Sequence, residues 1–146
     1  MDAALNYELK AQGSYEQGKP IIIEFRIENQ SLKEVWILKW YTPLEGIKGK
    51  IFDVTCDGKE IPYEGRMMKR GNPVKDDYLH LSSGESAGAQ VDLAQAYSLS
   101  KCNECVVKFK GRIPDVVFEE QQVPRPADEH AAVEVVGKAV SFQIVG

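Results

Sequence analysis

Apolar and polar residues alternate with a period of two along most of this chain. In residues 21–29, Ile21, Ile23, Phe25 and Ile27 fall on one face and Glu24, Arg26 and Glu28 on the other. That alternation predicts a half-buried strand. Leu5, Tyr7 and Leu9 predict a weaker strand before it, joined to it through a polar turn over residues 13–18. Residues 35–41 differ, because Trp36, Leu38 and Trp40 share one face while Val35, Ile37 and Tyr41 share the other. A segment apolar on both faces is a central strand, or one covered by loops. Residues 51–56 and 59–63 flank Asp57-Gly58, a two-residue hairpin signal. Residues 78–81 and 87–93 flank a Ser-Gly-Glu turn, and 105–109 and 139–145 supply the last strands. Only 93–97 reads as a single helical turn.

Short strands separated by frequent turns predict an all-β chain, an antiparallel immunoglobulin-like β-sandwich of about 7–9 strands with long rim loops. Residues 1–146 are expected to form one domain, a length that buries about two-thirds of the unfolded surface without staples. Two segments stand outside the strand pattern. Residues 64–77 are polar around Met67-Met68, and residues 111–130 carry Pro114, Pro124 and Pro126 and read as an irregular excursion.

Composition narrows the function class. Hydrophobic residues at 43% and charged residues at 27% are those of an ordinary globular domain. A net charge of -4 supplies no basic footprint for nucleic acid or anionic lipid. No apolar run approaches the roughly 18 residues of a membrane span. Met1-Asp2-Ala3-Ala4 has neither a basic nor an apolar signal region, so the chain as it stands reads as cytoplasmic, and as periplasmic or secreted if a signal peptide has been removed. Three cysteines, an odd number, fit a reducing compartment better than a disulfide framework.

Several near-motifs fail on chemistry. Residues 13–20 nearly spell a P-loop, but Pro20 supplies neither the hydroxyl nor the amide, and a strand follows where a helix is needed. Gly84-Glu85-Ser86-Ala87-Gly88 has nucleophile-elbow spacing, with Asp115, Asp128 and His130 following in hydrolase order. That elbow works only where a strand turns into a helix, whereas Ser86 opens an alternating strand. Cys102-Asn103-Glu104-Cys105 has zinc-knuckle or redox spacing, yet the remaining ligand types, Cys56, His80 and His130, are scattered. It reads foremost as two thiols flanking a tight turn, with a bridge across that turn open to an exported protein. His80 reads as an outward or hydrogen-bonded side chain. Trp36 and Trp40 read as core anchors. Asn29-Gln30-Ser31 is a sequon that matters only on a eukaryotic secretory route. No catalytic residue, cofactor or metal site is expected.

One segment carries functional promise. Arg66, Lys69, Arg70 and Lys75 make 64–77 a basic patch on an acidic chain, and Met67 and Met68 add soft apolar surface suited to partner contacts. The alternative is that the methionines tuck under as core and the charges are merely solvated.

The blocks at 38–46, Phe52-Asp53-Val54-Thr55, Asp57-Gly58, Pro62-Tyr63, Lys69-Arg70-Gly71-Asn72-Pro73, Gly84-Glu85-Ser86 and 91–97 resemble, in order, the non-catalytic N-terminal domain of bacterial peptidyl-lysine metalloendopeptidases. These are deuterolysin-like zinc proteases of the aspzincin group. The resemblance covers roughly 5–145 and implies a pro-region that assists folding or masks an active site. The zinc-binding helix and aspartate motif of the group are absent from this sequence, so the expected action is on a protease in trans. A looser likeness to small bacterial intracellular proteinase inhibitors, also sandwiches, supports a binding role by analogy of fold. The expectation is therefore a non-catalytic protein-binding sandwich, an inhibitor or chaperone of a metalloprotease. Its contacts would come from Met67, Met68, Lys69 and Arg70, with Thr42, Pro43, Leu44 and Glu45 beside them in 42–48. Lys69 would imitate the lysine such proteases prefer. The other reading is a structural or assembly module with no protease partner.

Overall fold

A computed structural model describes residues 5–146; the signal-peptide reading at Met1-Asp2-Ala3-Ala4 lies outside them. The described chain is all-β, an immunoglobulin-like β-sandwich of thirteen strands. Eight of these have four or more residues: β1 (Leu5–Lys10), β3 (Ile22–Asn29), β4 (Val35–Leu38), β5 (Phe52–Cys56), β7 (Tyr78–Leu81), β8 (Ser86–Asp92), β9 (Cys102–Phe109) and β13 (Val140–Val145). The other five are two- or three-residue pairings: β2 (Ser14–Glu16), β6 (Lys59–Glu60), β10 (Arg112–Ile113), β11 (Val116–Val117) and β12 (Val133–Glu134).

One sheet runs β1-β3-β8, facing a five-stranded sheet β2-β13-β9-β5-β6, while β11-β4-β7 forms a third and β10-β12 a short ribbon. The core is what the alternation dictates. Ile23, Phe25 and Ile27 of β3 are essentially sealed, and Phe25 meets Phe109 of the opposite sheet edge-on with ring centres 5.3 Å apart. Asp57 and Gly58 both take positive φ, 50° and 85°, the geometry of the tight hairpin turn that joins β5 to β6.

The third sheet explains the doubly apolar segment. Val35 and Ile37 face the main core, whereas Leu38 and Trp40 join Tyr78 and Val117 in a separate apolar cluster on the opposite face. Trp36 and Val123 pack partly buried against that cluster. The strand is thus covered by loops, and its partner elements come from 70–78 and 111–130.

Three expectations are corrected. The polar turn at 13–18 contains β2, whose Tyr15 is buried and whose pairing with β13 is parallel, unlike every other strand pairing described. Residues 59–63 pair over only two positions. Most consequentially, Cys102 and Cys105 do not flank a tight turn. Both lie in β9, where a register shift opposite Phe142 and Ile144 marks a bulge at Asn103-Glu104. The extra residue lets two side chains three apart point into the same core. The Asp57 carboxylate accepts the amides of Asn103 and Glu104 at 3.3 and 2.8 Å, which fixes the bulge.

Cys102 is disulfide-bonded to Cys56, with Cα atoms 5.8 Å apart. Cys105, in register with Cys56 across the sheet, stays a buried free thiol. Burial, then the nearby Asp57 charge, pushes that thiol up to about 11. The odd cysteine count therefore conceals a pair plus one, not three reduced thiols.

Candidate functional site

The chain leaves β4 through Lys39 and Trp40 and reverses at Tyr41, which takes a left-handed φ of 57°. That conformation is uncommon outside glycine and is held by specific bonds. The Tyr41 amide donates to Glu45 Oε2 at 2.8 Å. The Thr42 hydroxyl donates to the Lys39 carbonyl at 2.7 Å and accepts from the Leu44 amide at 3.1 Å. Thr42 and Pro43 are therefore buried framework of the turn and present nothing outward, while Leu44 and Glu45 are half-buried.

The 64–77 loop is fastened to this turn by Arg70. Its guanidinium stacks over Trp40 at 4.8 Å and near Tyr41 at 5.2 Å, and its Nη2 donates to Glu45 Oε2 at 2.7 Å. The Tyr41 hydroxyl donates to the Met68 carbonyl at 3.4 Å, adding a second tie. The outcome is a division of labour within the sequence-selected residues. Arg70 faces inward as a clamp. Lys69 points to solvent, Met68 is 39% exposed and Met67 is 83% exposed. The methionines do not tuck under the loop as core.

A second network, invisible in the sequence, braces the same cluster from the 111–130 side. Asp115 is fully buried beneath it. Its carboxylate accepts from Arg125 through two guanidinium nitrogens, from the Tyr78 hydroxyl at 2.6 Å and from the Ala131 amide at 3.0 Å. Burial alone would push this carboxyl up. The Arg125, Ala131 and Tyr78 hydrogen bonds and the Arg125 charge outweigh it and hold it below its ordinary value. The Tyr78 hydroxyl is pushed well up, first by burial and then by Asp115. His130 Nε2 donates to the Arg125 carbonyl at 2.9 Å, closing the loop on itself.

The near-motif residues are not assembled into one constellation. Ser86 sits on β8 and accepts from Arg26 at 3.0 Å, outside the Asp115 network that contains His130. His80 is exposed, bonded to Glu34 at 2.7 Å and stacked on Trp36. Cys56, Asp57 and Cys102 converge, but the disulfide occupies both sulfurs. The Asn29 side chain is buried and donates to Lys33, Leu81 and Ser82 carbonyls, so the sequon is closed to modification in the fold. Among the described residues no helix is long and apolar enough to cross a membrane.

No family model matches the chain. It is 29% identical over 87 residues to an extracellular protease of Aeromonas hydrophila, a match covering 60% of this chain and 25% of that protein. The matched part thus corresponds to about a quarter of the relative's length, and the likeness is compatible with a protease-associated domain. A cohesin module from the family 33 glycoside hydrolase of Clostridium perfringens ATCC13124 aligns over 98% of both chains with a TM-score of 0.35 at 8% identity, too slight a likeness to carry an argument.

Proposed function

We propose that this chain is a non-catalytic, prodomain-like β-sandwich that binds a zinc metalloprotease of the aspzincin kind and masks or chaperones it. The observation that carries the reading is the presentation of Met67, Met68 and Lys69. Met67 and Met68 are exposed large apolar residues that stand side by side, with exposed Lys69 next to them, on a loop pinned at Arg70. A pinned loop loses little conformational entropy on docking, so more of its contact energy survives as affinity. Methionine adapts to irregular apolar clefts, and the flanking Arg66 and Lys69 suit an acidic rim. The likeness to an extracellular protease supports the choice of partner. The Cys56–Cys102 disulfide supports an oxidising compartment outside the cytoplasm.

The test is a mixture of the purified protein with an aspzincin endopeptidase and a lysyl substrate. Inhibition is expected, weakening about tenfold for Met67→Asp and again for Lys69→Ala, as for central interface side chains. Turnover unchanged at micromolar excess of the protein overturns the masking role, and a refolding yield of the protease unchanged by the protein overturns the chaperone role.

A further inference from the structure

The two flanks of the β1-β3-β8 sheet are treated differently. On the β1 flank, Val136 covers the edge: the Tyr7 amide donates to its carbonyl at 2.9 Å and its own amide donates to Leu5 at 3.3 Å. On the β8 flank nothing among the described residues pairs. The amide of Asn29 bonds the Glu85 carbonyl and the amide of Leu93 bonds the Ile21 carbonyl, both at 2.9 Å, so odd-numbered positions of β8 bond β3. Antiparallel alternation then turns the N–H and C=O of Ser86, Gly88 and Gln90 outward. The edge is open to its root: Ala87 and Ala89, which point inward, stay half exposed beside the sealed Phe25 and Ile27.

Natural edges of this length are blunted by lysine, proline or a bulge. β8 has none of these; it runs Ser-Ala-Gly-Ala-Gln-Val-Asp in unbroken register with β3.

The outer face beside this edge is also patterned. Along β3 the outward residues read Glu24, Arg26, Glu28. The strand on the other flank answers them in register with Lys10, Glu8 and Asn6. On the β8 side the same three rows end in Gln90, Gly88 and Ser86; the missing side chain at Gly88 and the small one at Ser86, which accepts from Arg26 at 3.0 Å, leave a trough of about 370 Å³ over the sheet.

We infer that β8 is a docking edge for an extended strand from another protein, one whose outward residues read cation, anion, cation at alternate positions. Its backbone completes the outward groups of Ser86, Gly88 and Gln90, and its long side chains cross the trough toward Glu24, Arg26 and Glu28. A second copy of β8 fits poorly: its outward residues Ser86, Gly88 and Gln90 offer no charge to Glu24, Arg26 and Glu28.

The probe is an acetylated, amidated peptide of order Thr-Lys-Val-Glu-Val-Lys-Thr, titrated into the intact protein while amide exchange is followed residue by residue. Exchange at Ser86, Gly88 and Gln90 is expected to slow by about tenfold or more at saturation. The charge-reversed peptide is expected to bind about tenfold more weakly, and Gln90→Lys, an exposed site, to lower affinity for the original peptide about threefold, as cross-strand pairs of this kind predict. A peptide N-methylated at its central residues, with charge unchanged, is expected to lose binding. The proposal falls if no protection appears at millimolar peptide, or if the N-methylated peptide binds equally. It also falls if the three amides are already protected in a concentration-dependent way without peptide, which would assign the edge to a second copy. None of these outcomes depends on protease inhibition, so this edge and the Met67–Lys69 surface stand or fall separately.

Discussion

The main core and the small cluster beyond the β11-β4-β7 sheet are built by different means. The main core is aliphatic and phenylalanine-rich: Ile23, Phe25, Phe52, Val107 and Phe109 meet there across two sheets. Its strength comes from removing apolar area from water, which is non-directional. The outer cluster is four buried residues, Leu38, Trp40, Tyr78 and Val117, ringed by Arg70, Glu45, Asp115 and Arg125. Directional hydrogen bonds and cation–ring stacking fix the loops there in one arrangement. The contrast teaches that the first region makes the scaffold, while the second decides where Met67 to Lys69 point.

Both tryptophans of the chain, Trp36 and Trp40, belong to the outer cluster. Tryptophan emission therefore reads that cluster alone, and the comparison is separable in one cuvette. The largest expected effect is in the main core: Phe109→Ala should lower stability by about 3–5 kcal/mol through cavity formation, with loss of both regions together in a denaturant titration. Separate melting of the two regions in that variant would break the comparison. Next, Cys102→Ser should cost about 2–4 kcal/mol, because the bridge closes a long loop with sequence separation 46. Urea midpoints with and without reductant check it.

Asp115→Asn should cost about 2 kcal/mol, less than a wholly buried pair because Arg125 reaches solvent. It should also red-shift the tryptophan emission. The same network sets a pH dependence. Since the Asp115 carboxyl is held below its unfolded value of about 3.9, its stabilisation is fully present above that pH. It is lost as pH falls from about 4 through the lower folded value. Emission that shifts in this window in the natural chain but not in Asp115→Asn would bear this out. The smallest effect is Arg70→Lys, which keeps charge but loses the planar stack, under about 1 kcal/mol globally. Faster amide exchange confined to 66–72 is the expected signature.

Much of this was legible beforehand, for identifiable reasons. Period-two runs exposed β1, β3 and β13, and Asp57-Gly58 exposed the hairpin, because alternation and turn chemistry are local. The two-faced apolarity of 35–41 correctly required a covering layer. What supplies that layer was not legible, since Asp115, Arg125 and Tyr78 meet only through the path of an irregular segment. Arg70 could not be told from a solvated charge, as stacking on Trp40 depends on the Tyr41 reversal. β2 hid inside a glycine-bounded stretch because three residues are too few to show a period. The cysteine pairing was obscured by Cys102-Asn103-Glu104-Cys105 itself: close spacing suggested a local unit, while the bulge sends Cys102 to a partner on β5.

The solitary thiol of Cys105 makes the fold its own stopwatch. Shielded in the sheet and reluctant to ionise, it meets an alkylating reagent only when β9 parts from its neighbours. The pace of its labelling in the native protein thus counts how often the phenylalanine-filled sandwich breathes.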